Sequence, residues 1–181
     1  MKTLIKWSVE DYHYMIETGL LSDRPVELLA GEIVEMSPET PIHYSTAKES
    51  SKYLERLLEA VAEVRFNGPI TLADSEPEPD IAIVRLPASA YKQRHPQADD
   101  IFWIVEVAKT SLKKDLELKS TIYARAGIQE YWVLDLSAKQ MVVFRNPQNG
   151  KYSTKQTLTG GKVTPLAFGE IQVSSERLLS D

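Results

Sequence analysis

The stretch from Asp99 to Leu136 constrains the fold more than any other part of the chain, because it has the pattern of a strand, a helix and a second strand. Residues 101–107 form an apolar, β-rich run of the kind that lies buried in a sheet. After Thr110-Ser111, a helix is predicted from Leu112 to Ala126 with Gly127 as its stop. A strand follows at 130–136, where Tyr131 and Trp132 favour extended backbone.

Glu106 is unusual because it lies near the end of the apolar run at 101–107. A buried carboxylate without a compensating partner costs several kcal/mol or is neutralised through a raised pKa. The position therefore implies that a metal ion, a cation or a bound proton accompanies Glu106.

A second acid, Asp80, stands at the start of the strand predicted at Ile81 to Val84. Pro77 and Pro79 hold the chain before it extended. Two carboxylates at the ends of neighbouring strands can share a divalent cation, and Mg²⁺ in particular prefers one or two carboxylates together with water and substrate phosphate.

Composition indicates an ordinary folded protein. The 181 residues are enough for one domain, which we predict spans 1–181, and 43% are apolar and 26% charged. The absence of cysteine excludes disulfides and zinc-thiolate sites, and no signal peptide or membrane span is recognisable, so we expect a cytoplasmic protein that does not contact membranes. The net charge of −5 predicts weak binding to nucleic acid in the absence of metal.

The remaining elements are predicted from capping signals, turns and periodicity. They are a helix at 9–18, a hairpin of 26–29 with 33–36, a helix at 42–61, paired strands at 64–66 and 70–72 around Asn67-Gly68, an irregular connection at 86–100, strands at 141–145 and 151–158, and a short helix at 175–179.

The order of these motifs resembles a known family. Pro79-Asp80 followed by Glu106-Val107-Ala108 is similar to the PD-(D/E)xK nuclease signature, and the longer pattern resembles the Uma-two family of restriction-type endonucleases within that superfamily. The residues that carry the longer resemblance are Val26-Glu27-Leu28, Gly31-Glu32, Met36-Ser37-Pro38, His43, Glu106-Val107-Ala108, Thr110-Ser111-Leu112, Asp115, Lys119, Tyr123-Ala124, Ala126-Gly127-Ile128, Glu130-Tyr131-Trp132 and Asp135.

The resemblance implies a restriction-endonuclease-like α/β fold, in which helices flank a central mixed sheet that carries Asp80 and Glu106. It further implies an endonuclease (a hydrolase) that uses Mg²⁺ or Mn²⁺, with DNA as the partner and a homodimer as the assembly. Asp80 and Glu106 would hold the ion, and the carbonyl of Val107 could add a ligand.

The chain departs from the superfamily pattern at its lysine, which is expected two residues after Glu106, where this sequence has Ala108. Strand alternation turns Lys109 to the opposite face. On the following helix Asp115, Lys119 and Tyr123 share one face, so Lys119 can replace the missing lysine. The alternative is an ordinary solvated Asp–Lys pair.

Two upstream residues are further candidates for the site. Glu27, Glu32 and Glu35 lie on the early hairpin, and we favour Glu27 as the one that faces inward. His43 begins the helix at 42–61 and either faces the site or lies on the surface, which is the commoner place for a single histidine.

A second class of function is also open. Ala108 and the acidic net charge are compatible with a catalytically degenerate nuclease fold that acts as a binding or assembly module. Binding of a divalent ion would distinguish the two, because a degenerate module has no reason to keep an ion site.

Overall fold

A six-stranded mixed sheet forms the centre of the protein in the computed structural model, which describes residues 4–180. The first three residues and Asp181, which the predicted domain includes, lie outside this range. The sheet strands are β3 (Glu63–Phe66), β4 (Ile81–Val84), β5 (Ile101–Ala108), β6 (Glu130–Asp135), β7 (Gln140–Gln148) and β8 (Lys151–Leu158).

The strands lie side by side in chain order from β3 to β8. β5 and β6 run parallel, with Trp103 opposite Glu130, and the other neighbouring strands of this sheet are antiparallel. A parallel pair requires a crossover connection, which the helical segment 112–125 supplies.

Helices and hairpins surround the sheet. They are α1 (Val9–Glu17), the hairpin of β1 (Val26–Leu29) and β2 (Glu32–Glu35), α2 (Pro41–Leu58), α3 (Leu112–Lys114), α4 (Ser120–Arg125), the pair β9 (Lys162–Val163) and β10 (Val173–Ser174), and α5 (Ser175–Leu179).

Alternating side chains of β5 contribute to two apolar cores. Trp103 and Val105 belong to the core that includes residues of α2 and α5, whereas Ile104 and Ala108 belong to the core that includes Tyr123 of α4. Alternation places Glu106 on the second face, among the residues that the 112–125 segment covers. The fold thus directs a carboxylate towards that helical segment.

Most predicted elements are present within a few residues of the expected bounds. The predicted α/β class and the helix at the N-terminus are confirmed, and Ser8 caps that helix by accepting a hydrogen bond from the Asp11 amide at 3.0 Å. The helix predicted at 42–61 ends at Leu58, three residues early, and Val61 is exposed.

The prediction that 70–72 pairs with 64–66 as a strand is wrong. β3 pairs with β4 instead, with Phe66 opposite Ile81. The amides of Ile70 and Leu72 donate to loop carbonyls, those of Pro77 and Ser75, so this segment is satisfied as a loop rather than as a strand.

The helix predicted at 112–126 is interrupted. Residues Asp115–Lys119 form a π-helical turn between α3 and α4. Such turns insert one extra residue per turn and are frequent at functional sites. Both ends of this turn, Asp115 and Lys119, are buried.

None of the helices between residues 4 and 180 has the length and apolar character that crossing a bilayer requires.

Candidate active site

Asp80 and Glu106 lie beside each other at one edge of the β4–β5 pair. Ile81 is opposite Val105 in this antiparallel register, so the residue before β4 meets the end of β5. Asp80 Oδ2 accepts a hydrogen bond from the Val107 amide at 2.6 Å, and the Asp80 amide donates to Glu106 Oε2 at 3.4 Å. The structure therefore brings together the two acids that the sequence singled out.

Lys119 reaches these acids from the helical segment. Its Nζ donates to Glu106 Oε1 at 2.8 Å, and the hydroxyl of Tyr123 donates to the same oxygen at 2.8 Å. Lys119 is only 4% exposed. The alternative of a solvated pair with Asp115 does not hold, because the lysine is buried and its ion pairs are with Glu106 and Glu27.

Glu27 forms a second contact of the buried lysine. It lies on β1, is 1% exposed, and its Oε2 is 3.5 Å from Lys119 Nζ. Its other oxygen, Oε1, accepts a hydrogen bond from Lys114 at 3.0 Å. Glu32 and Glu35 are exposed, so Glu27 is the one glutamate of the three that is buried.

Asp115 lies at the start of the π turn and lines the same cleft. It is buried, and Ser111 Oγ donates to its Oδ2 at 2.5 Å. Burial raises the pKa of Asp115, with Lys119 and the Ser111 hydroxyl acting in the opposite direction.

His43 faces the cleft rather than the surface. It lies in the first turn of α2, its side chain is 15% exposed, and its Nε2 is 3.3 Å from Asp80 Oδ2. Burial alone would lower the pKa of His43, but the hydrogen bond and charge of Asp80, together with the charge of Glu39, raise it. The imidazole of His43 is therefore protonated more readily than that of a free histidine when no metal ion is bound.

Ala108 and Lys109 show why the strand itself supplies no lysine to Glu106. Ala108 packs in the apolar core beside Tyr123. Lys109 is exposed and lies at the rim of the cleft. The strand ends at Ala108 without returning Lys109 to the face of Glu106, as strand alternation predicts.

Sequence reasoning missed several groups that line the cleft. Glu39 precedes α2, with its Oε1 3.9 Å from His43 Nδ1 and accepting a hydrogen bond from Asn67 at 3.2 Å. Glu78 lies between the two prolines before Asp80, and burial raises its pKa. The alternation Glu76, Glu78, Asp80 in an extended segment was a signal that could have identified Glu78.

Acidic charge exceeds basic charge in the cleft. Burial raises the pKa of Glu106 to about 8, opposed by Lys119 and reinforced by Asp80 and Asp115. Burial would lower the pKa of Lys119, but Glu106, Glu27 and Asp115 together raise it above its ordinary value. Lys119 therefore stays an ammonium while Glu106 is poised to bind a proton or a cation.

The donor set fits a hard divalent cation. Asp80 and Glu106 offer carboxylate oxygens, which such ions prefer. Glu39, His43 and Asp80 each offer one ligand atom, and these atoms lie within 4.8 Å of one another. His43 Nδ1 is buried without a hydrogen-bond partner. A cation bound here would also offset the excess of buried carboxylates.

A mixed sheet flanked by helices, with Asp80 just before β4, Glu106 on β5 and Lys119 against them, defines a protein with a restriction-endonuclease-like α/β fold. The profile of the Uma2 family, described as "Putative restriction endonuclease", matches residues 9–176. The chain therefore belongs to the Uma2 family, which confirms the resemblance found in the sequence.

A solved structure supports the same fold. The chain is similar to the crystal structure of a "putative nuclease" belonging to DUF820 from Anabaena variabilis ATCC 29413, with a TM-score of 0.72 and 18% identity, over 86% of this chain and 89% of the other. At this identity the likeness establishes the fold. No curated protein matches the chain.

Proposed function

We propose that this protein is a divalent-metal-dependent endonuclease that hydrolyses phosphodiester bonds in DNA. One observation carries the proposal: a buried ammonium, Lys119, lies 2.8 Å from Glu106, which itself adjoins Asp80. A nuclease needs cationic groups next to carboxylates because negative charge builds up on the phosphate during hydrolysis. Membership of the Uma2 family supports the same activity.

Asp80 and Glu106 are the residues that would hold Mg²⁺ or Mn²⁺, with the carbonyl of Val107 as a further ligand. When bound, such an ion supplies Lewis-acid polarisation of the phosphate and lowers the pKa of a coordinated water. The Val107 amide fixes the Asp80 carboxylate through its 2.6 Å hydrogen bond, so this ligand is oriented before any ion arrives.

Lys119 acts on the substrate as a catalytic cation. Its ammonium stabilises negative charge on the phosphoryl oxygens in the transition state. Tyr123 and Glu27 are positioning residues: Tyr123 donates to the Glu106 oxygen that also binds Lys119, and Glu27 lies 3.5 Å from Lys119 Nζ. Asp115, at the other end of the π turn from Lys119, contributes charge rather than direct contact.

The rival function, a degenerate binding module, was favoured by the missing lysine at Ala108. The missing strand lysine no longer argues for that function, because the ammonium of Lys119 contacts Glu106 from the helical segment. Burying a lysine among carboxylates is costly unless each charge is compensated, so the arrangement has no evident use in a module that only binds.

We further infer that the chain works in the cytoplasm as a single restriction-endonuclease-like domain. We also infer a homodimer, since two active sites cut the two strands of a duplex. The edge strand β8 supports the assembly, because its outer edge can pair with a second copy.

Cleavage of labelled oligonucleotides tests the proposal. Duplex DNA, single-stranded DNA and RNA of one sequence are incubated with Mg²⁺, Mn²⁺ or a chelator. We expect metal-dependent products from DNA. Products from RNA alone would reassign the substrate, and identical products in the chelator would exclude the mechanism.

A further inference from the structure

A second hollow of about 530 Å³ lies next to the active-site cleft. Residues from α1, β3, the loop 71–76 and the loop 91–97 line it. We call it the Arg65 groove, defined by His13, Arg65, Glu76, Tyr91, Lys92 and Arg94.

The Arg65 groove and the cleft are lined by residues that are close neighbours in the chain. Arg65 lines the groove, whereas Asn67, two residues further on, lines the cleft, and its amide donates to the Asp80 carbonyl at 2.9 Å. Likewise, Glu76 lines the groove, whereas Glu78, on the other side of Pro77, lines the cleft. A nucleic-acid strand held at Asp80 would therefore pass close to the groove.

Arg65 is a half-buried cation without a compensating acid. Within residues 4–180 it forms no ion pair, and its Nε is buried without a hydrogen-bond partner. The guanidinium lies 5.7 Å from the centroid of the Tyr91 ring. Gly68 leaves room for it, because a Cβ there would stand 3.3 Å from Arg65 Nη2.

Two of the acids near the groove already have partners of their own. Glu76 is 2.6 Å from His13 Nε2 and accepts a hydrogen bond from Thr71 at 2.8 Å. Arg94 is paired with Asp100 at 2.6 Å. Glu17 is exposed at the rim.

Lys92 adds a second free charge to the groove. It is exposed there and, in the described part of the chain, makes no ion pair. The positive charge that remains available to a ligand therefore comes from Arg65 and Lys92.

We propose that the Arg65 groove binds a backbone phosphate of the nucleic-acid strand that flanks the scissile bond. Phosphate oxygens are acceptors that suit the donors of a guanidinium, and an arginine without a carboxylate partner can offer those of its donors that the groove leaves accessible. The inference rests on the proposed function, since it assigns the groove to the substrate of the cleft. It also explains how a chain of net charge −5 can bind a polyanion.

The test compares duplex binding in Ca²⁺ across variants that lose one charge each, measured by fluorescence anisotropy at several salt concentrations. Arg65→Gln and Lys92→Gln alter the groove. Arg177→Gln is the control for the first, because Arg177 also lies over a tyrosine ring, Tyr53, at 5.1 Å. Lys162→Gln is the control for the second, because Lys162 is an exposed lysine on β9 that lines neither the groove nor the cleft.

We expect each groove variant to bind about 5-fold more weakly and to lower the slope of log affinity against log salt by about 1. The two controls should match the parent, and Arg65→Lys should restore the salt slope but only part of the affinity, because it keeps the charge without the guanidinium's donors. Melting temperatures show that each variant is folded. If the groove variants bind like the controls while the parent still cleaves DNA, the groove assignment is wrong and the nuclease proposal stands.

A second measurement covers the case in which the parent neither binds nor cleaves nucleic acid. Amide chemical shifts are followed by NMR while pyrophosphate is added without divalent ions. If the shifts of Arg65, Tyr91 and Lys92 change with pyrophosphate in the parent but not in Arg65→Gln, the groove binds phosphate and its ligand is a free phosphate compound. Unchanged shifts in the parent overturn the inference.

Discussion

Lys119 donates a hydrogen bond to Glu106 from thirteen residues further along the chain, at a distance of 2.8 Å. The strand supplies the acid and the following helical segment supplies the ammonium, while Ala108 fills the strand position that a lysine occupies in the superfamily signature. The π turn from Asp115 to Lys119 ends at this lysine. One strand–helix unit thus contains both charges of the proposed catalytic pair.

Lys119→Gln should lower the rate of DNA cleavage by about two orders of magnitude, because it removes a cation that stabilises transition-state charge. Some stability should also be lost, since Glu106 keeps its buried carboxylate without an opposing ammonium and Glu27 keeps only Lys114. Single-turnover cleavage well below the melting temperature separates the two effects.

Lys109→Gln is the matched control for that change, because Lys109 is an exposed lysine on the rim of the same cleft. Its cleavage rate should stay within a few-fold of the parent. A larger loss from Lys109→Gln than from Lys119→Gln would show that the strand lysine, not the helix lysine, acts on the phosphate.

Divalent ions should stabilise the fold by mass action. At about 100 times the dissociation constant, Mn²⁺ or Mg²⁺ contributes roughly 2.7 kcal/mol, which raises the melting temperature by about 5–10 °C for a chain of this size. Asp80→Ala and Glu106→Ala should each abolish the shift in a thermal denaturation series. Retention of the full shift in both variants would place the ion elsewhere.

The stability of the metal-free protein should fall as pH rises from 5 to 9. The pKa of Glu106 is raised to about 8 by burial from an ordinary value of 4.5. A group whose pKa is raised by folding stabilises the fold below its unfolded pKa, and that contribution is lost as pH rises through the folded value. Urea denaturation in a chelator at pH 5, 7 and 9 measures the change.

Glu106→Gln removes the titrating group, so its free energy of unfolding should depend less steeply on pH over the same range. The parent should be stabilised by Mn²⁺ most strongly at high pH, where the ion competes with fewer protons. Equal pH slopes for parent and variant would mean that Glu106 is already ionised throughout.

His43→Gln should weaken Mn²⁺ binding by about 10-fold and affect Mg²⁺ less, because imidazole suits transition metals better than hard ions. The ligand atoms of His43, Asp80 and Glu39 lie within 4.8 Å of one another, which supports direct ligation. Isothermal titration calorimetry measures both ions. His13→Gln is the control, since His13 pairs with Glu76 outside the cleft; equal losses in the two variants would rule out ligation by His43.

The sequence predicted that Asp80, Glu106 and Lys119 lie together because the features that place them are local. Pro77 and Pro79 fix the approach to Asp80, and strand alternation fixes which face Glu106 occupies. The antiparallel register of β4 and β5 then places the two acids side by side. The helix after β5 returns Lys119 over the same face, as the i, i+4, i+8 spacing with Asp115 and Tyr123 indicated.

The remaining contacts depend on tertiary packing that spacing does not reveal. His43 and Asp80 come from separate elements, and only the docking of α2 brings them to 3.3 Å. Glu27 reaches Lys119 because the β1–β2 hairpin packs over the cleft. The strand at 70–72 was wrongly predicted because apolar residues at Ile70 and Leu72 also suit a loop buried against the sheet.

Cleavage of supercoiled plasmid tests the central claim most directly. The parent, Asp80→Asn and Glu106→Gln are purified in parallel and incubated with Mg²⁺, Mn²⁺ or a chelator, and nicked and linear products are quantified. We predict products from the parent with either ion, none in the chelator, and background levels from both variants. Cleavage by the variants at the parent's rate, or no cleavage by the parent with any divalent ion on DNA or RNA, would contradict the assignment of a metal-dependent nuclease.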